Sequence, residues 1–162
     1  MTKRIPRQTE QKKNSSGRQR FWRYGPLLLW MVFISVASTS EFSALNTSTV
    51  VRPLILWFFP NLDETQVASI HFLIRKIAHF TEYAVFAFLA KRAFVTSPNA
   101  FIQRYWFQLG LFLIVIYSML DEFHQSFVPS RTASIYDCAI DVFGGLTVLI
   151  VFRLCSKRTQ KA

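Results

Sequence analysis

The residues best suited to chemistry stand at the start of an apolar segment. The stretch RKIAHFTEYAVFAFLA (75–90) places Lys76, His79 and Glu82 three residues apart, just before a run of hydrocarbon side chains. In a helix this spacing puts them on one broad face. Such a face could bind a polar ligand, with His79 or Glu82 transferring protons. Alternatively, Lys76 reaches the lipid headgroups while the other two satisfy each other or a neighbouring helix.

A second group of polar residues follows a later apolar run. Asp121, Glu122 and Gln125 come directly after YWFQLGLFLIVIYSML (105–120). Because adjacent helical residues point about 100° apart, we expect only one of the two acids to face the first group. Glu122 is our choice, since Gln125 follows it by three residues on the same face.

Two aspartates and an arginine precede or open the last apolar run. Asp137 and Asp141 are four residues apart and form a narrow helical stripe. Asp137 has an alternative role as part of a capping box, because Ser134 stands three residues before it. Asp141 lies one turn deeper, where capping does not explain it. Arg131, in the loop HQSFVPSRTAS (124–134), could pair with a carboxylate or hold a phosphate as a bidentate donor.

The elements that must position these residues are visible as four apolar runs. Each approaches the roughly 20 residues that a helix needs to cross a bilayer. We therefore expect an all-α membrane protein, a bundle of four transmembrane helices. The predicted spans cover about 26–45, 72–92, 102–122 and 134–153, and Pro26 is a favourable first helical residue for span one.

The segments outside these spans have their own predictions. VVRPLILWFFP (50–60) is too short to span, so we predict an interfacial or re-entrant segment between spans one and two. Residues 1–24 are polar and basic, which predicts a disordered cytoplasmic tail. The transmembrane domain then covers 25–154, and residues 155–162 form a second basic cytoplasmic tail.

The orientation of the spans follows from the distribution of positive charge. Of the 19 Lys and Arg residues, all except Arg52, Arg75, Lys76 and Arg131 fall in residues 1–24, 91–104 and 153–161. The positive-inside rule therefore predicts that both termini lie in the cytoplasm and that the polar residues gather at the outer leaflet. A cleaved signal peptide ending in SVASTS is an alternative for the first run, although its basic region is unusually long.

Composition argues against several other function classes. The net charge of +10 sits at the ends of apolar runs and accompanies no nucleic-acid-binding motif, so we expect no nucleic-acid partner. Cys138 and Cys155 would lie about 25 Å apart on one helix, too far to pair, and no zinc-type spacing occurs. We predict no metal and no cofactor. The polar residues carry three excess negative charges if His79 is neutral, which a proton or a bound cation could offset.

Three motifs in these segments resemble the VanZ-like family of small bacterial membrane proteins. They are RKIAHFTEY (75–83), DEFHQSFVPSR (121–131) and SIYDCAIDVFG (134–144), and the resemblance covers about residues 30–150. The positions that match the family pattern are Lys76, His79, Glu82, Tyr83, Glu122, Gln125, Arg131, Ser134, Asp137 and Gly144. Two positions depart from it: Ser130 stands where Gly is common, and Asp141 stands where Asn is common.

The resemblance implies a multi-pass protein of the bacterial cytoplasmic membrane. The family's namesake is associated with resistance to the glycopeptide teicoplanin, and no reaction is established for the family. We expect an outer-leaflet polar pocket that binds a lipid headgroup, a cell-wall precursor or a glycopeptide antibiotic. The residues expected to form it are Lys76, His79, Glu82, Tyr83, Glu122, Gln125, Arg131, Asp137 and Asp141.

Other function classes stay open beside this non-enzymatic interpretation. One is a membrane enzyme acting on a lipid-linked phosphate substrate, with Glu82, His79 or Asp137 as the acid or base. Another is a proton- or cation-coupled carrier, since acids inside membranes often mark ion paths. A structural subunit is a further alternative. The sequence does not determine the oligomeric state.

Overall fold

The protein is built from helices. The computed structural model describes residues 7–39, 44–129 and 134–159, with side chains for 17–39, 47–129 and 134–156. Within these ranges there is no strand. The helices are α1 (Arg7–Ala37), α2 (Ala44–Phe58), α3 (Glu64–Val95), α4 (Ala100–Arg104), α5 (Trp106–Gln125) and α6 (Ile135–Thr159).

Four long helices pack side by side, each antiparallel to the one before it. Lys76 of α3 pairs with Asp137 at the start of α6, whereas Lys91 near the end of α3 lies over the Phe152 ring near the end of α6. Two hydrogen bonds also fix the direction of α1. Tyr24 bonds Ser97, just after the end of α3, and Ser38, just after the end of α1, bonds Asp121 near the end of α5. We call the end that holds Lys76, Asp121 and Asp137 the polar end. The end that holds Arg23, Lys91 and Arg153 is the basic end.

The centre of the bundle is apolar and closely packed. α3 contributes one buried stripe, in which the small residues Ala87, Ala90 and Ala93 let neighbouring helices approach. Ile34 from α1 and Ile114 from α5 are also fully buried in this core. α3 is therefore the central helix, and the other long helices pack around it.

The outer surface of the bundle is also apolar. Leu29, Phe72, Phe112 and Phe143, from four different helices, are each more than half exposed. Soluble monomers rarely expose contiguous apolar patches of more than a few hundred Å². Such side chains are well placed to contact hydrocarbon.

Within the described residues, two helices are long and apolar enough to cross a membrane. They are α5, with a mean hydropathy of 1.4, and the Ile135–Ser156 part of α6, with a mean hydropathy of 2.0. α1 and α3 are longer, but each joins an apolar half to a charged half. The all-α prediction is confirmed for the described residues, and a count of four transmembrane helices stays a prediction.

α1 differs from its predicted bounds. It begins at Arg7, so residues 7–24 are helical where the sequence predicts a disordered tail. Gln, Lys, Arg and Glu dominate this stretch and have good helix propensity, which compositional arguments for disorder neglect. Pro26 consequently lies inside the helix rather than at its start. α1 also ends at Ala37, well before the predicted end of span one at 45.

The proline inside α1 creates a contact with α3. Pro26 has no N–H, so the carbonyl of Trp22, four residues earlier, lacks its usual helical donor. Arg92 of α3 donates a hydrogen bond from Nη2 to this carbonyl oxygen at 3.0 Å. The Trp22 carbonyl, which Pro26 leaves without a helical donor, thereby fixes the position of Arg92 at the basic end.

α2 corresponds to the predicted interfacial or re-entrant segment. Its 15 residues would extend about 22 Å at 1.5 Å per residue, less than the hydrocarbon core of a bilayer. A salt bridge between Arg52 and Glu64 connects it to the start of α3. The hydrogen bond from Arg52, and then its charge, lower the pKa of Glu64 below its usual value. α2 leaves Leu54 and Trp57 exposed, and its position at a membrane interface stays a prediction.

α3 begins eight residues before the predicted start of span two, because a capping box starts it early. Asp63 Oδ1 accepts a hydrogen bond from the Gln66 N–H at 2.8 Å, and Gln66 Oε1 accepts one from the Asp63 N–H at 3.1 Å. Two backbone donors at the helix start are thus satisfied reciprocally. The first two turns of α3 therefore carry polar residues to the polar end.

Helix α6 approaches α3 closely at Gly144. A Cβ atom placed there would lie 2.3 Å from the carbonyl oxygen of Phe80 in α3. The neighbouring Gly145 faces Ile114 of α5, where a Cβ would lie 2.8 Å from a side-chain atom. The glycine pair therefore allows α6 to contact α3 and α5 at the same level.

We predict that Gly144→Ala destabilises the bundle by about 1–3 kcal/mol, because the new methyl group meets backbone that cannot move aside. Equilibrium unfolding of the purified protein in mixed micelles measures this. Gly25→Ala is the matched control: its Cβ would meet only Phe21 ring atoms at 3.7 Å, an ordinary contact. Equal stability of the two variants would contradict the close packing of α3 and α6.

Candidate functional site

The polar end contains a layer of buried polar contacts between α3, α5 and α6. Lys76 forms a salt bridge with Asp137. One turn deeper, a hydrogen bond of 3.1 Å joins His79 Nδ1 to Asp141 Oδ1. Asp141 is fully buried, and its second oxygen accepts a hydrogen bond from Ser118 Oγ of α5 at 3.1 Å. Asp137 and Asp141, which were predicted to form a stripe on α6, therefore face Lys76 and His79 of α3.

A separate contact joins α1 to α5. Ser38 Oγ donates to Asp121 Oδ1 at 2.5 Å, and Gln125 Nε2 donates to Asp121 Oδ2 at 3.0 Å. Asp121 is thus buried as well as Glu122, but its hydrogen bonds lie on the side of α5 that faces α1. The reason is that α5 has α1 on one side and α6 on the other, so two faces about 100° apart are both covered.

Glu122 connects α5 to the start of α6. Its Oε2 accepts a hydrogen bond from the Ser134 N–H at 2.8 Å, while Ser134 Oγ accepts one from the Tyr136 N–H at 3.2 Å. Ser134 therefore caps α6 as predicted, but Asp137 pairs with Lys76 and does not complete a capping box. Glu122 Oε1 is buried and has no hydrogen-bond partner among the described residues.

Arg131 and Tyr83 complete the set of expected site residues. Arg131 lies outside the described residues. Tyr83 is fully buried in the apolar core, with its hydroxyl beside Ser118. Its position makes it part of the packing beneath the polar layer.

Glu82 faces a different direction from Lys76. It belongs to a stripe on α3 with His71, Arg75 and Ala78, spaced by four, three and four residues, which faces α1 and α2. There the helices enclose a pocket of about 210 Å³, the polar-end pocket. Its lining residues are Phe33, Ala37, Ser38, Thr47, Val51, His71, Ile74, Arg75, Ala78, His79 and Glu82.

The polar-end pocket combines opposite charges with an apolar wall. Arg75 contributes a guanidinium and Glu82 a carboxylate, about 10 Å apart along the helix axis. A hydrogen bond of 3.2 Å joins Thr47 Oγ1 to His71 Nε2, at the edge of the pocket nearest to α2. Burial and the nearby Arg75 lower the pKa of His71, which favours its neutral form. The pocket therefore fits a small polar group attached to an apolar body.

Several of these residues were missed by the sequence analysis. Arg75 and His71 were detectable, because they continue the helical spacing that leads to Glu82. Ser38 and Ser118 were not, since each lies within or beside an apolar run and gains a carboxylate partner only through packing. Among the described residues, no three His, Cys, Asp or Glu side chains converge closely enough to hold a metal ion.

Comparison with known proteins identifies the family. The family model described as VanZ/LLP1 matches residues 21–156, which is most of the chain. The protein belongs to the VanZ-like family. The resemblance predicted from three sequence motifs is therefore confirmed, and every residue of the polar layer and the polar-end pocket lies within the matched range.

The VanZ-like assignment and the two apolar helices indicate a membrane protein. No curated protein and no solved structure matches the chain.

We predict that Asp141→Ala destabilises the VanZ-like bundle by about 2–4 kcal/mol. It would leave the buried polar atoms of His79 and Ser118 without their partner. Asp141→Asn retains an oxygen acceptor and the side-chain shape, so its effect should be at most half as large. Unfolding in mixed micelles, together with membrane abundance, measures both. An alanine variant as stable as the asparagine variant would contradict a packing role for this layer.

Proposed function

We propose that this VanZ-like protein is a non-enzymatic, four-span protein of the bacterial cytoplasmic membrane whose polar-end pocket binds the headgroup of an amphiphile. The ligand class is a lipid, a lipid-linked cell-wall precursor or a lipoglycopeptide. The observation that carries the proposal is that Arg75, His79 and Glu82 line one pocket beside apolar side chains of three helices.

The four-span topology is supported by the alternation of the long helices. α1 and α5 run in one direction and α3 and α6 in the other, as four successive crossings would require. The positive charges collect at the basic end, which the positive-inside rule assigns to the cytoplasm. The polar-end pocket would then open at the outer leaflet.

The buried contacts support a division of roles among the predicted site residues. Asp137 is occupied by Lys76, and Asp141 by His79 and Ser118, so these carboxylates hold helices together. Glu82 lies on the side of α3 that faces the pocket. Because Arg75 and Glu82 line the pocket, we assign ligand contact to them and a supporting role to the layer behind them.

The size of the pocket limits what can enter it. Sites for drug-sized ligands usually enclose about 300–1,000 Å³, and this pocket encloses about 210 Å³. A headgroup fits, whereas a whole glycopeptide does not. An amphiphile would insert only its polar group, with Arg75 binding a phosphate or carboxylate and its apolar part lying against Phe33, Ile74 and the lipid.

We predict that Glu82→Gln and Arg75→Gln fail to complement a deletion strain grown against a panel of envelope-active drugs that includes a lipoglycopeptide. Each should leave the strain as sensitive as the deletion itself, at normal membrane abundance. The matched controls are Glu64→Gln and Arg52→Gln, which make the same changes at an exposed ion pair outside the pocket. Full complementation by both pocket variants, or unchanged sensitivity of the deletion strain to every drug, would refute the proposal.

A membrane enzyme acting on a lipid-linked phosphate is the second candidate, favoured because His79 and Glu82 face the same pocket as Arg75. In that case Arg75 would hold the phosphate and Glu82 would act as the acid or base. Glu82→Gln separates the two functions in purified protein incubated with labelled undecaprenyl phosphate and its pyrophosphate. Conversion by the wild type that is lost in Glu82→Gln, with retained binding, would replace the binding proposal with an enzyme.

A further inference from the structure

A second pocket lies at the basic end of the bundle, far from the polar-end pocket. It encloses about 400 Å³ between the N-terminal half of α1 and the end of α3. The residues that line it are Arg18, Gln19, Trp22, Arg23, Arg92 and Thr96. Three arginine side chains therefore line one open, shallow pocket, and no acidic side chain lines it.

Among the residues whose side chains are described, no carboxylate pairs with the three arginines. The ion pairs recorded there are Arg52–Glu64, Lys76–Asp137 and His79–Asp141, all at other places in the fold. Arg23 Nε is also buried, and it has no hydrogen-bond acceptor among the described side chains and backbone. A buried donor without an acceptor is unfavourable, so an anion that supplies an acceptor would be bound favourably.

Other cations at the same end are engaged differently. Lys91 lies 4.3 Å from the centroid of the Phe152 ring, and Arg153 lies 4.6 Å from that of Phe107. Arg92, in contrast, is held at the pocket by its hydrogen bond to the Trp22 carbonyl, which Pro26 leaves without a helical donor. The position of Arg92 is thus fixed by the backbone of α1, which distinguishes it from Lys91 and Arg153.

Trp22 also lines an apolar groove along α1. This groove encloses about 810 Å³, and Phe21, Leu28, Leu29 and Val32 form much of it. An anion bound among the arginines could therefore carry a hydrocarbon chain that lies along α1. A free inorganic anion would leave the groove unused.

We propose that the basic-end pocket binds an anionic phospholipid, with its phosphate among Arg18, Arg23 and Arg92 and an acyl chain in the α1 groove. Bidentate hydrogen bonds from guanidinium groups suit phosphate geometry, and basic pockets between transmembrane helices bind lipid headgroups in this way. The proposal is independent of the ligand of the polar-end pocket.

The test is a titration of the delipidated full-length protein in neutral-detergent micelles, followed by tryptophan fluorescence. The probes are dioctanoyl phosphatidylglycerol, dioctanoyl phosphatidylcholine and inorganic phosphate, and the signal should disappear in Trp22→Phe. We expect phosphatidylglycerol to bind most tightly. Arg18→Gln/Arg23→Gln should weaken its binding by about tenfold or more.

The control variant Arg104→Gln/Arg153→Gln removes two charges from the same end but outside the pocket, and should change the affinity less than about twofold. Equal weakening by the two double variants would overturn the proposal in favour of a diffuse charge effect. If phosphatidylcholine bound as tightly as phosphatidylglycerol, the proposed selectivity for anionic lipids would be wrong. If inorganic phosphate bound as tightly as phosphatidylglycerol, the proposal that the ligand is a lipid would be wrong.

A further variant tests the proposal if the double variant Arg18→Gln/Arg23→Gln misfolds. The single substitution Arg18→Gln, at an exposed position, then decides the matter, with an expected loss of about fivefold in phosphatidylglycerol affinity. An unchanged affinity in this variant would count against the pocket.

Discussion

Polar groups buried between apolar helices must find their partners inside the bundle, because neither lipid nor the apolar core supplies any. The polar end of this protein meets most of that requirement with interhelical pairs, although Glu122 Oε1 has no partner among the described residues. Lys76 and His79 of α3 engage Asp137 and Asp141 of α6, and Ser38 of α1 engages Asp121 of α5. Each pair has one member on each of two helices. The charges therefore determine which helix faces which, while the small residues of α3 and Gly144 determine how close they come.

This pairing supports the proposed division between residues that hold the helices together and residues that contact a ligand. The aspartates are used within the bundle, so they are not available to a ligand without disrupting helix contacts. Arg75 and Glu82 lie on another side of α3, where α1 and α2 form the wall of a pocket. Helix α3 thus contributes both to the polar layer and to the polar-end pocket, because its different faces contact different neighbours.

The two ends of the bundle differ in the charges that they carry. At the polar end, acids and bases are mixed and largely paired. At the basic end, Arg18, Arg23 and Arg92 line one pocket without described acids, and the carbonyl that Pro26 leaves without a helical donor helps to hold Arg92 there. This asymmetry is compatible with the two proposed ligands, an amphiphile at the polar end and an anionic phospholipid at the basic end.

The sequence by itself determined the helical class, the family, and the helical stripes that carry Lys76, His79, Asp137 and Asp141. These follow from local periodicity and motif spacing, which do not depend on packing. It also indicated the family positions Glu122 and Gly144. The tertiary structure alone decided that Asp121 is buried, that Ser38 and Ser118 bind carboxylates, and that Glu82 faces a pocket instead of the polar layer. Those properties depend on which helix lies against each face, and residues far apart in sequence acquire that relation only when the helices pack.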